Sequence, residues 1–178
     1  FTKALRDLGY FKLSEPFSGL FTQGMVTHQT YKNNKNEWLE PSEVKIINGQ
    51  YLDKNNNIVD VGKIEKMSKS KKNVVDPNDI IDLYGADTAR WFMLSDSPPE
   101  RDLQWSETGI VASKKFINKL WDLVMKFKDY NLSSKNDDDF IDKLKLIIND
   151  VTNNIESFQF NKSVAKIYEY VNLLNDSL

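Results

Sequence analysis

Residues 66–94 read KMSKSKKNVVDPNDIIDLYGADTARWFML. The first eight hold four lysines, two serines and no acid, although the whole chain carries a net charge of −2. Lys63, Lys66, Lys69, Lys71 and Lys72 fall within ten residues, opposed only by Glu65. An ammonium is a mobile point charge that can follow phosphate charge, and serine hydroxyls can donate to phosphate oxygens. The run contains no glycine, so it is not a P-loop, whose backbone amides form the cradle. A solvated surface loop is the ordinary reading of such a run. A loop closing over a nucleotide triphosphate and a nucleic-acid patch are the alternatives. The residues after the run are patterned for helices. Asp76 is placed to cap, Pro77 suits the first helical position, and Gly85 stops the element. Residues 86–95 read as a second helix.

Working upstream, residues 1–9 read as a helix tail ended by Gly9. Residues 19–28, GLFTQGMVTH, are an apolar run consistent with a buried strand. Residues 29–63 change character: KNNKN, Asn48-Gly49 and DKNNN are turn signals between short β-type runs, and Asn48-Gly49 predicts a two-residue hairpin turn. This stretch reads as a small β-rich insertion. Working downstream, Pro98 and Pro99 forbid a helix over 96–105. Ser106 is placed to cap the next one. Three apolar stripes lie beyond it at helical spacing: Phe116, Leu120, Val124 and Phe127; Phe140, Leu144, Ile147, Val151 and Ile155; Val164, Ile167, Val171 and Leu174. They read as core packing of an α-helical bundle, joined by a polar connector over 133–139 whose acids favour a helix N-terminus.

Composition bounds the rest. A chain of 178 residues, 40% hydrophobic and 12% aromatic, has material for one large domain or two small ones. No cysteine means no disulfide, Cys-zinc site or thiol catalysis. The one histidine, His28, reads as a packing or strand-end residue. No apolar run approaches the roughly 20 residues of a membrane span. Arg90 reads as half of an ion pair with a neighbouring acid. Trp91, Phe92 and Trp105 read as core. Asp76, Asp79 and Asp82, spaced by three, read as caps and a solvated face rather than metal ligands. The chain opens on FTKALRDLGYF without Met and closes in helical pattern, so a piece of a longer protein is expected.

The order of residues adds a resemblance. Lys66-Met67-Ser68-Lys69-Ser70 is the signature loop of class I aminoacyl-tRNA synthetases, and residues 74–94 resemble the segment after that loop in the Leu/Ile/Val/Met subgroup. Residues 15–26, EPFSGLFTQGMV, and 97–110, SPPERDLQWSETGI, resemble leucyl-tRNA synthetases specifically. Residues 158–167, FQFNKSVAKI, resemble the anticodon-binding-type helical domain of that family. The run departs from isoleucine and methionine relatives, which usually read Leu-Gly-Asn where this chain has Lys71-Lys72-Asn73. The family's other ATP signature, His-Ile-Gly-His, is absent, and His28 belongs to no such motif.

The resemblance implies a C-terminal catalytic-core fragment of α/β plus all-α class. Residues 1–28 would end a Rossmann-type catalytic domain and 29–63 would be a leucine-specific-type β insertion. Residues 64–105 would hold the signature loop and its supporting helices, and 106–178 an incomplete helical bundle. It implies activation of leucine with ATP and transfer to tRNA(Leu). Lys69 would contact the ATP phosphates and Lys66 would assist. Met67, Ser68 and Ser70 would complete the ATP contacts, and magnesium would arrive with the nucleotide rather than on a protein site. Lys71, Lys72, Lys35 and Lys54 would contact tRNA. The upstream remainder of the polypeptide is an implied partner. A cytoplasmic monomer is expected, with no membrane contact and no activity in the isolated chain. A valyl or isoleucyl enzyme, and a non-catalytic RNA-binding module, are the rival readings; Pro98-Pro99 through Trp105 favour leucine.

Overall fold

A computed structural model describes residues 1–128 and 138–176. The connector over 133–137 lies outside the described residues. The chain builds a small sheet, two short helices beneath its loop end, and three long helices.

Strand β1 (Val26–Lys32) is the centre of the sheet. It pairs antiparallel with β5 (Asp60–Lys66), from Thr27 opposite Lys66 to Lys32 opposite Asp60, with an irregularity between Gln29 and Tyr31. On the other edge it takes β2 (Trp38–Leu39) antiparallel at one end and β6 (Leu103–Gln104) parallel at the other. The run 19–28, read as a strand, enters the sheet only at Val26; its earlier part is irregular, with Leu20 exposed. β1 and β5 cross positions 28/29 and 63/64, so the β-rich stretch is rooted in the sheet that carries the lysine run.

Between β1 and β5 lie a 3-10 turn (Pro41–Glu43) and the hairpin β3 (Lys45–Ile47) and β4 (Gln50–Leu52). Asn48 and Gly49 both have positive φ, 50° and 78°, as the type I′ turn requires. The turns at 33–37 and 53–57 share one design. Asn33 Oδ1 accepts from the amides of Lys35 and Glu37, and Asp53 Oδ1 from those of Asn55 and Asn57. Each then turns through a left-handed asparagine, Asn36 or Asn56.

Helix α1 (Thr2–Asp7) ends before Gly9, which takes a positive φ. Helix α2 (Pro77–Tyr84) starts as its sequence dictates: Asp76 accepts from the Asn78 amide and Pro77 occupies the first turn. Gly85 separates it from α3 (Ala86–Ser95). Ile80, Phe92, Leu103 and Ile110 form the core beneath the sheet end, with Trp105 edge-on to Phe92. Gly24 is needed where the 97–105 segment docks, because a Cβ there would lie 2.0 Å from the Arg101 carbonyl oxygen.

Ser106 Oγ accepts from the Gly109 amide at the start of α4 (Glu107–Lys128), which packs with α3 and α6 (Phe160–Asp176). Their core is Phe116, Leu123 and Val171, with Trp91 stacked on Phe116. The face of α4 differs from the stripe read in the sequence. Leu123 is buried, whereas Val124 is 56% exposed, because the contact turns toward α6 along Phe116, Leu120, Leu123 and Phe127. Helix α5 (Asp138–Glu156) packs on α6 and buries no residue completely, leaving Ile155 half exposed. Phe21 stacks on Phe158 at the α5–α6 turn, tying the irregular N-terminal segment to the helices. Among the described residues no helix is long and apolar enough to cross a membrane.

This packing sets two substitutions apart. Leu123→Ala should destabilise by about 2–5 kcal/mol, as for a buried leucine, whereas Val124→Ala should stay within about 0.5 kcal/mol. Urea-unfolding midpoints at constant slope measure both.

Candidate functional site

Strand β5 ends at Lys66, and the chain then folds back over the end of the sheet. The Met67 amide donates to the Val26 carbonyl at 3.1 Å, prolonging the ladder by one bond. Residues Lys69–Lys71 form a single 3-10 turn, capped by Ser68, whose hydroxyl accepts from the Lys71 amide. Lys72 adopts a left-handed conformation, φ 53°, and reverses the chain. The run read as a loop forms a compact turn.

One side chain closes it. Asn73 has no solvent exposure. Its Oδ1 accepts from the Ser68 amide at 2.8 Å. Its Nδ2 lies 3.2 Å from the carbonyls of His28 and Glu65 and 3.4 Å from that of Lys66. Sequence reading assigned Asn73 no role. The available signal was slight: a lone carboxamide standing between a cationic run and Val74-Val75.

The cations divide into two groups. Lys71 forms an ion pair with Glu65 across the base of the turn. Among the described residues, Lys63, Lys66 and Lys69 have neither an ion-pair nor a hydrogen-bond partner for their ammonium groups. Lys66 and Lys69 are exposed, while Met67 and Ser68 are partly buried between them. Ser68 and Ser70 hydrogen-bond to each other at 2.8 Å, so either hydroxyl can turn to donate elsewhere. The two ammonium groups, two hydroxyls and absence of a free acid suit an anion of several charges, such as a triphosphate.

Within the β-rich stretch one acid, Glu43, is fixed by a local bond and an ion pair. The Glu43 carboxylate accepts from the Glu40 amide at 3.0 Å and pairs with Lys54 at 3.5 Å. The Glu40 bond chiefly holds its carboxyl below the usual range; burial opposes it, and Lys54 and, least, the Lys72 charge add to the lowering. Lys54 pairs with Glu43, while Lys35 sits on the separate 33–37 turn. On the hairpin side, burial pushes the Tyr31 phenol up, with Tyr51 adding to it.

His28 is buried in mid-strand, its Nδ1 2.8 Å from the Gln29 carbonyl and its ring edge-on to Tyr31. It packs rather than faces the turn. Arg90 pairs with Asp87 on the surface of α3. Asp76 is consumed as a cap. Among the described residues no cluster of three or more His, Asp or Glu side chains could hold a metal ion. A groove of about 610 Å³ lies away from the turn, between α3 and α4, lined by Trp91, Leu94, Leu120 and Trp121 among others. It is apolar and has no geometric link with the lysines.

The acid dependence of this link has a definite sign. Glu43 has a lowered native pKa, so its contribution is complete above its ordinary value of 4.5 and is lost as pH falls through the native one. Glu43→Gln should cost a few tenths to about 1 kcal/mol at neutral pH, as exposed ion pairs do. That gap between variant and parent should close on acidification, as urea midpoints across pH 3–7 will measure.

Comparison with known proteins places these features. Residues 55–106, which contain the turn, α2 and α3, match the family described as tRNA synthetases class I (I, L, M and V). The leucine–tRNA ligase of Zymomonas mobilis is 49% identical over 97% of this chain, and that of Wolbachia pipientis wMel is 45% identical over 98%. The chain spans only about a fifth of each: 20% and 21%. In structure it resembles the LeuRS of Agrobacterium radiobacter K84, solved in a ternary complex with tRNA and LeuAMS, with a TM-score of 0.67 and 26% identity. That likeness covers 98% of this chain and 20% of the other. Over nearly its whole length the chain is thus similar to a segment of leucine–tRNA ligases, and the match to the class I tRNA synthetase family covers its lysine turn.

Proposed function

We propose that this chain is part of a leucine–tRNA ligase and supplies the loop that grips ATP phosphates during leucine activation. The observation that carries this reading is the pair Lys66 and Lys69, exposed and unneutralised on a turn anchored to the sheet. When a carboxylate attacks the α-phosphorus, negative charge develops on the departing pyrophosphate. Cations placed there lower the barrier. Lys69 makes the principal contact and Lys66 assists. Ser68 and Ser70 donate hydroxyls once their mutual bond opens, and the backbone at Met67 lies toward the adenine. Magnesium comes with the nucleotide.

The bond made is between the leucine carboxylate and the α-phosphate, with pyrophosphate leaving. The substrate carboxylate is the nucleophile, so no side chain of this segment need be one. The tRNA comes next, taking the leucyl group on its terminal ribose. Lys72, Lys54 and Lys35 touch its phosphate backbone, as does Lys71 once released from Glu65, each contact weak and salt-dependent. The 106–178 helices dock on the tRNA body by shape. The remainder of the polypeptide brings the second ATP signature and the leucine pocket, so the isolated segment is inactive. The whole protein works as a cytoplasmic monomer.

Leucine-dependent ATP–pyrophosphate exchange tests the reading, run with each of the twenty amino acids on this chain and on the whole polypeptide. Exchange with leucine only in the whole polypeptide is the expected result, reduced by about 10²–10³ or more in Lys69→Ala. Exchange with valine or isoleucine instead moves the specificity. No exchange in the whole polypeptide rejects the enzyme and favours an RNA-binding module.

A further inference from the structure

We propose that Asn73 is the positioning residue of the phosphate-gripping turn. This rests on the reading of that turn as the ATP site. Four unneutralised or partly neutralised lysines repel one another, and a chain of this composition would open outward without an internal brace. The brace is a single carboxamide. Its acceptor holds the Ser68 amide at 2.8 Å and so closes the 68–73 loop. Its two N–H groups face three carbonyls, those of His28, Glu65 and Lys66, on both strands at the root of the loop. The Ser68 amide, one residue before Lys69, is thereby tied by one side chain to the carbonyls of β1 and β5 beside Lys66, whose own backbone the strand pairing holds. The backbone bonds inside the loop are longer than the one from the Ser68 amide to Asn73: Lys71 amide to Ser68 carbonyl at 3.2 Å, and Lys72 amide to Lys69 carbonyl at 3.3 Å.

Only an amide supplies both functions at this site. Aspartate has the same shape, but turns a carboxylate toward three carbonyl oxygens and donates nothing to them. Alanine removes the acceptor of the Ser68 amide and the N–H groups that face the His28, Glu65 and Lys66 carbonyls. Asn73 touches no substrate. It acts by holding two charges at the separation the phosphates need, so its loss is felt in the ATP step and not in leucine binding.

The test measures exchange rates against ATP and against leucine concentration in the whole polypeptide. Asn73→Asp and Asn73→Ala are compared with Thr88→Ala as a control for a buried polar loss. Thr88 is equally buried, but its hydroxyl bonds only to the Tyr84 carbonyl, away from the turn. The expected result is a rise of about tenfold or more in KM for ATP with KM for leucine unchanged in both Asn73 variants, and neither KM moved by Thr88→Ala. A fall in kcat no larger than the measured loss of folded protein, both KM values holding, is what a smaller folded fraction gives and overturns the proposal. If the parent shows no exchange with leucine, the ATP reading falls and amide hydrogen exchange decides Asn73 separately. Loss of Ser68 protection in Asn73→Ala but not Thr88→Ala keeps it as the anchor; unchanged protection removes it.

Discussion

The Asn73 carboxamide ties the end of β5, the middle of β1 and the first amide of the lysine turn into one hydrogen-bonded unit. Everything on the cationic face depends on it. Burying an amide with unmet bonds would be costly, so a fully satisfied one is specific: it holds only if both strands and the turn are in register together. The antiparallel pairing of β1 with β5 places the His28 and Glu65 carbonyls where one side chain can reach both, since these two residues are direct cross-strand partners.

The supporting elements are arranged around that unit. The 97–105 segment adds β6 beside β1, with the Leu103 amide bonded to Met25 and the Trp105 amide to Thr27. This fixes the strand from its other edge. Trp105 and Leu103 then enter the core with Phe92 and Ile110, so the two helices after the turn are packed against the same strand that anchors it. Lys114 of α4 also donates to the Tyr84 carbonyl at 2.9 Å, where α2 ends. The turn is thus held at its base, while Lys66 and Lys69 pair with no acid among the described residues. Such a design keeps charge available at low reorganisation cost, as preorganised electrostatic sites require.

Much of this was legible in the sequence, and the parts that were not have a physical reason. Caps and turns are local, so Asp76, Pro77, Gly85, Ser106 and Asn48-Gly49 declared their elements directly. The stripe Val164, Ile167, Val171 and Leu174 fell on the buried face of α6. The face of α4 was misjudged by one position, because spacing of three or four fits Leu123 and Val124 equally and only the neighbour α6 chooses. Residues 19–25 are apolar yet take no part in a strand, since local composition cannot tell a paired segment from an unpaired one. Lys66 and Lys69 were legible as cations, and their order carried the resemblance to synthetases. Asn73 was not legible, because its partners lie 45 residues upstream in sequence as well as close by. The pairing of Glu43 with Lys54 was hidden for the same reason.

The central claim is that a triphosphate is gripped by Lys66 and Lys69 from a base that Asn73 keeps fixed. A crystal structure of the whole polypeptide with a non-hydrolysable ATP analogue tests it most directly. The account predicts the Lys69 ammonium at about 3 Å from β- or γ-phosphate oxygens, with the Asn73 bonds to the Ser68 amide and the His28 carbonyl intact. Phosphates seated elsewhere with Lys69 in solvent, or phosphates bound only with Asn73 released from both strands, would contradict it.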